Sequence, residues 1–224
     1  VKTGGDELPK HKRHSMVVVP SNADGIKIVR PMHVYGHDDA PHGHMQISFE
    51  NVVVPVTDLL LGEGKGFEIA QGRLGPGRIH HCMRAIGQAE SALELMCRRG
   101  LSRTAFNSLL VNLGANFDII AESRIDIEMA RLLCLKAAWM MDNEDKRTAS
   151  NWISKIKVVA PKVALKVVDE AIQLYGGEGI SQDTPLAAAW THLRTLRLAD
   201  GPDAVHRRQV ARNELRKYTN QKIV

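Results

Sequence analysis

The sequence predicts a mainly α protein, a helical bundle preceded by part of a β-domain. Three observations carry this. The hydrophobic period switches from two to three-and-four near Gly64. Three long apolar stripes of helical period follow the switch. The β-branched region before it is too short to close a sandwich or barrel.

Residues 1–60 read as three or four short strands. Ser15–Val19 is an apolar run closed by Pro20-Ser21-Asn22, Gly25–Val29 alternates, and Met45–Val54 alternates up to Pro55. Between the last two, His33–His44 is dense in His, Asp, Gly and Pro, and reads as a loop. The strands that would complete the sheet are expected upstream of residue 1.

The first helix starts near Gly64 and carries Phe67, Ala70, Leu74, Ile79, Met83, Ile86, Ala89, Leu93 and Met96 at helical steps. A second runs from Leu109 to Met141, with polar residues expected on its outer face. A third stripe joins Trp152, Ile156, Val159, Val163, Val167, Ala171 and Leu174, with Lys155, Lys162, Lys166, Asp169 and Gln173 opposite and a kink expected at Pro161. Two shorter helices are expected at about 185–198 and 202–218. Between them Asp200-Gly201-Pro202-Asp203 is a cluster of breakers. It reads either as a joint in which Asp203 caps the following helix, or as a turn that holds one carboxylate in place.

Composition narrows the function classes. Hydrophobic residues make up 44% of the 224 and aromatics only 4%, so the core must be aliphatic. The net charge of +5 is compatible with anionic partners, a phosphate-bearing small ligand as much as nucleic acid, with acidic and basic residues interspersed. Arg208, Arg212 and Arg216 form a basic stripe. No aromatic residues interleave with them for base stacking, so a solvated face is read in preference to nucleic-acid binding, with phosphate contact left open. Cys82, Cys97 and Cys134 are far apart and read as reduced thiols in an intracellular setting. No membrane span is expected, and no metal site: the histidines of the 33–44 loop read as solvated, and His80 and His81 point in different directions on their helix. Gln173-Leu-Tyr-Gly-Gly177 ends a helix, where Gly is an ordinary cap; the alternative is that Gly176 and Gly177 admit a ligand close to the backbone.

Taken together, these segments resemble the acyl-CoA dehydrogenase family along nearly the whole chain. Asn51-Val-Val-Val-Pro55 followed by Leu61-Gly-Glu-Gly-Lys-Gly-Phe67 looks like the passage from that family's middle β-domain into its C-terminal helical domain. That resemblance sets the expected domains at 1–63 and 64–224. Arg78 before Gly87, Arg103-Thr-Ala-Phe106, Gln173-Leu-Tyr-Gly-Gly177 and Asp200-Gly201 match further family motifs. Gly-Arg-Leu-Gly-Pro-Gly-Arg-Ile-His-His-Cys-Met-Arg (72–84) looks most like the subgroup of family members ten and eleven.

The resemblance implies a flavoenzyme of fatty-acid β-oxidation type that removes one hydrogen from each of Cα and Cβ of an acyl-CoA thioester. Asp200 would take the Cα proton and FAD would accept the Cβ hydride. Arg78 and Gly201 would contact substrate, and the Asp200 N–H would help bind the thioester oxygen. For FAD, Arg103 would meet the pyrophosphate, Phe106 would pack near the flavin, and Gln173, Gly176 and Gly177 would approach the adenine end. Several such contacts reach a neighbouring subunit's FAD in the family, which implies a homodimer or homotetramer. The implied electron acceptor is an electron-transfer flavoprotein or oxygen, and the implied compartment a mitochondrion or a peroxisome. The last residues, Gln221–Val224, are not an SKL-type address.

The chain also departs from the family. Asp200 stands where Glu is usual, Ala199 where Tyr is, Pro202 and Ala204 where Thr and Gln contact FAD, and Gly114 where Gln is common. An alternative reading is a catalytically inactive truncated form acting as an oligomerisation or scaffold module.

Overall fold

The computed structural model describes residues 1–219 and divides the chain into two compact units, Val1–Arg73 and Leu74–Val224. The C-terminal tetrapeptide considered above lies outside the described residues.

In the first unit, β1 (Ile26–Met32) and β2 (His44–Phe49) form an antiparallel hairpin with Ile28 opposite Ile47 and a bulge between Ile28 and Arg30. The other expected strands do not form. Ser15–Val19 contributes one bridge, Val17 to Leu59, and the second strand stops at Phe49 because Asn51 turns the chain with φ of 52°. Ile28, Ile47 and Phe49 stay exposed, so the hairpin has no core of its own. The turn at 62–66 is held by Ser15 Oγ accepting from the Gly64 N–H at 2.8 Å, and by the His14 carbonyl accepting from Gly66 N–H at 2.8 Å.

The second unit is a helical bundle. Its elements are α1 (Gly66–Ser102, which begins in the first unit), a two-residue-strand hairpin β3 (Thr104–Ala105) and β4 (Ser108–Leu109), α2 (Asn116–Asn143), α3 (Lys146–Tyr175), α4 (Leu186–Leu196) and α5 (Asp203–Leu215). The core stripe uses small residues: Ala85, Ala89 and Ala92 from α1, Ala130 and Ala137 from α2, Ala160, Ala164 and Ala171 from α3. Alanines at the contact bring helix axes close together, which suits an aromatic-poor sequence. Helix α3 is the hub and packs on α2, α4 and α5.

Two expectations about the second helix need correction. The second helix begins at Asn116, not Leu109, because Phe106 and Asn107 both adopt positive φ, 49° and 59°, the signature of a type I′ hairpin. Its outer face is not polar: Ile125, Met129, Leu132 and Trp139 repeat along it, all exposed. Pro161 lies buried inside helix α3, which runs on past it to Tyr175. The two-residue link from α2 to α3 holds because Asp145 caps α3, accepting from Arg147 N–H and Thr148 N–H at 2.7 and 3.0 Å.

Candidate active site

The breaker cluster of the sequence forms a corner between α4 and α5. Asp200 has φ of 54° and Gly201 φ of 107°, so two successive left-handed residues reverse the chain. Asp tolerates this region better than most residues. Gly201 has no substitute, since an added Cβ would also lie 3.0 Å from His206 Nε2. Asp203 does not cap α5. It makes no cap hydrogen bond and instead takes Arg197 Nε and Nη2 on Oδ2 at 2.9 and 2.8 Å, while its own N–H donates to the Arg197 carbonyl at 3.2 Å. That clasp closes the corner and frees the Asp200 side chain.

Three basic side chains of the bundle converge on the corner. Arg78 Nε, from α1, donates to the Asp200 carbonyl at 2.9 Å. Lys157, from α3, is fully buried and donates through Nζ to the Leu196 carbonyl at the end of α4. His81 Nε2 lies 3.3 Å from Asp200 Oδ2, with both side chains about a quarter exposed. Burial lowers the pKa of Arg78, an effect opposed by Asp200. Burial also lowers Lys157, opposed by Cys82, Asp200 and Asp203. His81 is lowered by burial first, with Asp200 opposing and Arg84, Lys157 and His80 adding to the fall, so it is neutral at neutral pH. His206, only 4% exposed, is likewise lowered by burial and then by Arg78 and Lys157. The Asp200 N–H makes no hydrogen bond among the described residues and stays available as a donor.

Beside this corner runs a groove of about 860 Å³ between α1 and α4. His81 and Ala199 line its end next to Asp200, and Gln88, Ser91, Leu193 and His192 line the rest.

Arg103, Phe106, Gln173, Gly176 and Gly177 sit elsewhere. Arg103 and Phe106 lie in and beside the β3–β4 hairpin, and Phe106 at its tip is 93% exposed. Gly176 ends α3 with φ of 67°, and no atom would lie within 4 Å of a Cβ on either Gly176 or Gly177. Arg99 ties the two segments together: Nη2 meets Glu178 Oε2 at 3.0 Å and the guanidinium lies 5.1 Å from the Tyr175 ring centre. The chain therefore has two separate clusters. Arg78 and Arg99 are on one helix, roughly 30 Å apart at ~1.5 Å per residue.

Among the residues the sequence reading put forward, Arg78, Asp200 and Gly201 come together at the corner, while Arg103, Phe106, Gln173, Gly176 and Gly177 gather at the opposite end of α1. His81, Lys157, Arg197 and His206 were missed. His81 had been weighed only as a metal ligand. Lys157 left a signal, a lysine one step from Ile156 within an apolar stripe. Among the described residues no group of three His, Cys, Asp or Glu could hold a metal ion, and no helix is long and apolar enough to cross a membrane.

The family model for the acyl-CoA dehydrogenase C-terminal domain matches residues 64–215. Acyl-CoA dehydrogenase family member 11 of Homo sapiens is 54% identical over 216 residues, covering 96% of this chain and 28% of that protein. Family member 10 of Mus musculus is 52% identical over 210 residues, covering 94% of this chain and 20% of that protein. A solved structure of a candidate acyl-CoA dehydrogenase from Mycobacterium abscessus superposes with a TM-score of 0.93 at 55% identity, covering 96% of this chain and 53% of that one. The chain thus spans between a fifth and about half of these three relatives.

Proposed function

Because this chain belongs to the acyl-CoA dehydrogenase family, we propose that it forms the C-terminal part of an enzyme that carries out flavin-dependent α,β-dehydrogenation of an acyl-CoA thioester, with Asp200 taking the Cα proton. The observation that carries the reading is the Asp200 corner. A carboxylate on a left-handed residue, with its main chain fixed by Arg78, lies 3.3 Å from His81, which together with Ala199 lines the groove between α1 and α4. An α-proton is weakly acidic, so its base must sit within hydrogen-bond reach and the developing enolate oxygen needs a donor. The unpaired Asp200 N–H is such a donor.

The second cluster fits a flavin dinucleotide. The Arg103 guanidinium has no ion-pair partner among the described residues, a free cation suited to a pyrophosphate. Gln173 is exposed, and Gly176 and Gly177 present unobstructed backbone. Phe106 offers a ring to a planar group. Bound FAD supplies hydride acceptance from Cβ. The residues of this chain would hold it: Arg103 the phosphates, Phe106 the ring system, Gln173 with Gly176 and Gly177 the adenine end. Their distance from Asp200 supports a homodimer or homotetramer in which each copy serves a neighbour's flavin. The exposed apolar stripe of α2 gives self-association a surface, and it equally favours the second reading, an inactive oligomerisation module. An electron-transfer flavoprotein or oxygen would reoxidise the flavin.

The test is Asp200→Asn in the chain completed to the length of its relatives. Turnover is expected to fall by roughly 10²–10⁴ or more with FAD retained. Near-normal turnover removes Asp200 from the chemistry. A colourless, flavin-free parent protein supports the module.

A further inference from the structure

His81 and Arg84 stand one helical turn apart on α1, on the side that faces the Asp200 corner and the groove. Arg84 Nη2 contacts His81 Nδ1, and His81 Nε2 lies 3.3 Å from Asp200 Oδ2. A guanidinium has donors only, so Nδ1 must accept from it. A neutral imidazole then carries its one proton on Nε2, the nitrogen nearest the carboxylate. The other charged and titratable groups around His81 act in both senses. Arg84 and His80 on α1 and Lys157 on α3 disfavour a second proton, while Asp200 favours one. His192 lines the groove from α4, and His206 lies behind Gly201 from α5.

We propose that Arg84 and His81 are a positioning pair for the Asp200 carboxylate, in which Arg84 fixes the imidazole tautomer and His81 Nε2 holds Oδ2 in place for proton abstraction. The inference rests on the reading of Asp200 as the base and deepens it. Asp is one methylene shorter than the Glu usual in the family. Arg78 fixes only the main chain of Asp200, which leaves the carboxylate free to rotate about its side-chain bonds. His81 supplies the missing second anchor.

The experiment uses the flavin-loaded protein completed to the length of its relatives. His81→Leu is expected to lower kcat by up to about 10²-fold, the scale of a misplaced catalytic group, while KM stays near its original value. His81→Gln, whose amide donor reaches the position of Nε2, should restore much of kcat. Nitrogen-15 NMR of the His81 imidazole, read without turnover, should show the Nε2–H tautomer, and Arg84→Met should convert it to a mixture. An unchanged kcat in His81→Leu, alongside loss of turnover in Asp200→Asn, overturns the positioning role and leaves the base assignment standing. Full turnover in Asp200→Asn overturns the base assignment instead. An Nδ1–H tautomer in the parent protein overturns the pair whatever the kinetics.

Discussion

Arg78 Nε and the main-chain carbonyl of Asp200 meet at 2.9 Å across 122 positions of sequence. This contact, from the first helix of the bundle to the last corner, fixes where the carboxylate emerges. It also satisfies an acceptor on a residue that no regular element holds.

Arg78→Met should therefore loosen the corner. A hydrogen bond from a charged donor is worth about 1.5–3 kcal/mol, so a fall in stability of that size is expected in urea. Turnover in the flavin-loaded protein should drop by up to about 10²-fold as the base loses its position. Arg78→Lys should not restore it, because an ammonium lacks the planar guanidinium geometry. Full activity in the lysine variant would count against a geometric role.

Stability should depend on acid through His206. Burial lowers its pKa in the folded chain from the ordinary 6.5, so below pH 6.5 the unfolded state binds the extra proton and the folded state resists it. Stability is then fully present above 6.5 and declines as pH falls. His81 acts in the same direction. The decline should be visible before carboxylates such as Glu90, whose ordinary value is 4.5, begin to protonate. His206→Gln should flatten the urea midpoint between pH 6.5 and 4.5. An unaltered slope would assign the acid sensitivity elsewhere.

Phe106 occupies a left-handed position at full exposure, a conformation that disfavours ordinary L-residues by about 1–2 kcal/mol. The two-residue turn needs this backbone conformation but not a phenyl ring, and an exposed ring on a strained residue points to a use outside the chain. Phe106→Asn should raise the thermal midpoint, since Asn accepts positive φ, and at the same time reduce FAD retention after desalting. Retained flavin would reduce Phe106 to a turn residue.

Arg103→Ala should strip flavin while leaving the thermal midpoint of the flavin-free protein nearly unchanged. The side chain is exposed and makes no ion pair among the described residues, so its removal takes no ion pair away. Equal flavin content in mutant and parent would refute the phosphate role.

Residues 1–224 by themselves should be strongly helical by circular dichroism, oligomeric by light scattering and poor in FAD. The motive is the exposed stripe of Ile125, Met129, Leu132 and Trp139 together with a hairpin that buries no core. Stoichiometric flavin that bleaches rapidly with acyl-CoA would show this chain to be sufficient for catalysis.

The sequence alone determined the helical bundle, because a 3.6-residue apolar period is a local property that any folded partner surface must respect. It also marked Asp200-Gly201-Pro202 as a corner, since Gly and Pro restrict the backbone whatever surrounds them. Tertiary structure decided the rest. The outer face of α2 turned out apolar because both faces carry helical-period hydrophobics, and only packing selects Ile127 and Ala130 for the core over Met129 and Leu132. The hairpin at 104–109 depends on positive φ at Phe106, which no propensity foretells for that residue. Asp203 became the partner of Arg197 and not a cap because an ion pair at 2.8 Å was within reach once the corner had closed. His81 met Asp200 only when α1 and the α4–α5 corner packed together. A contact between residues so far apart in sequence leaves no periodic trace in the chain, because it is fixed by the packing of whole helices.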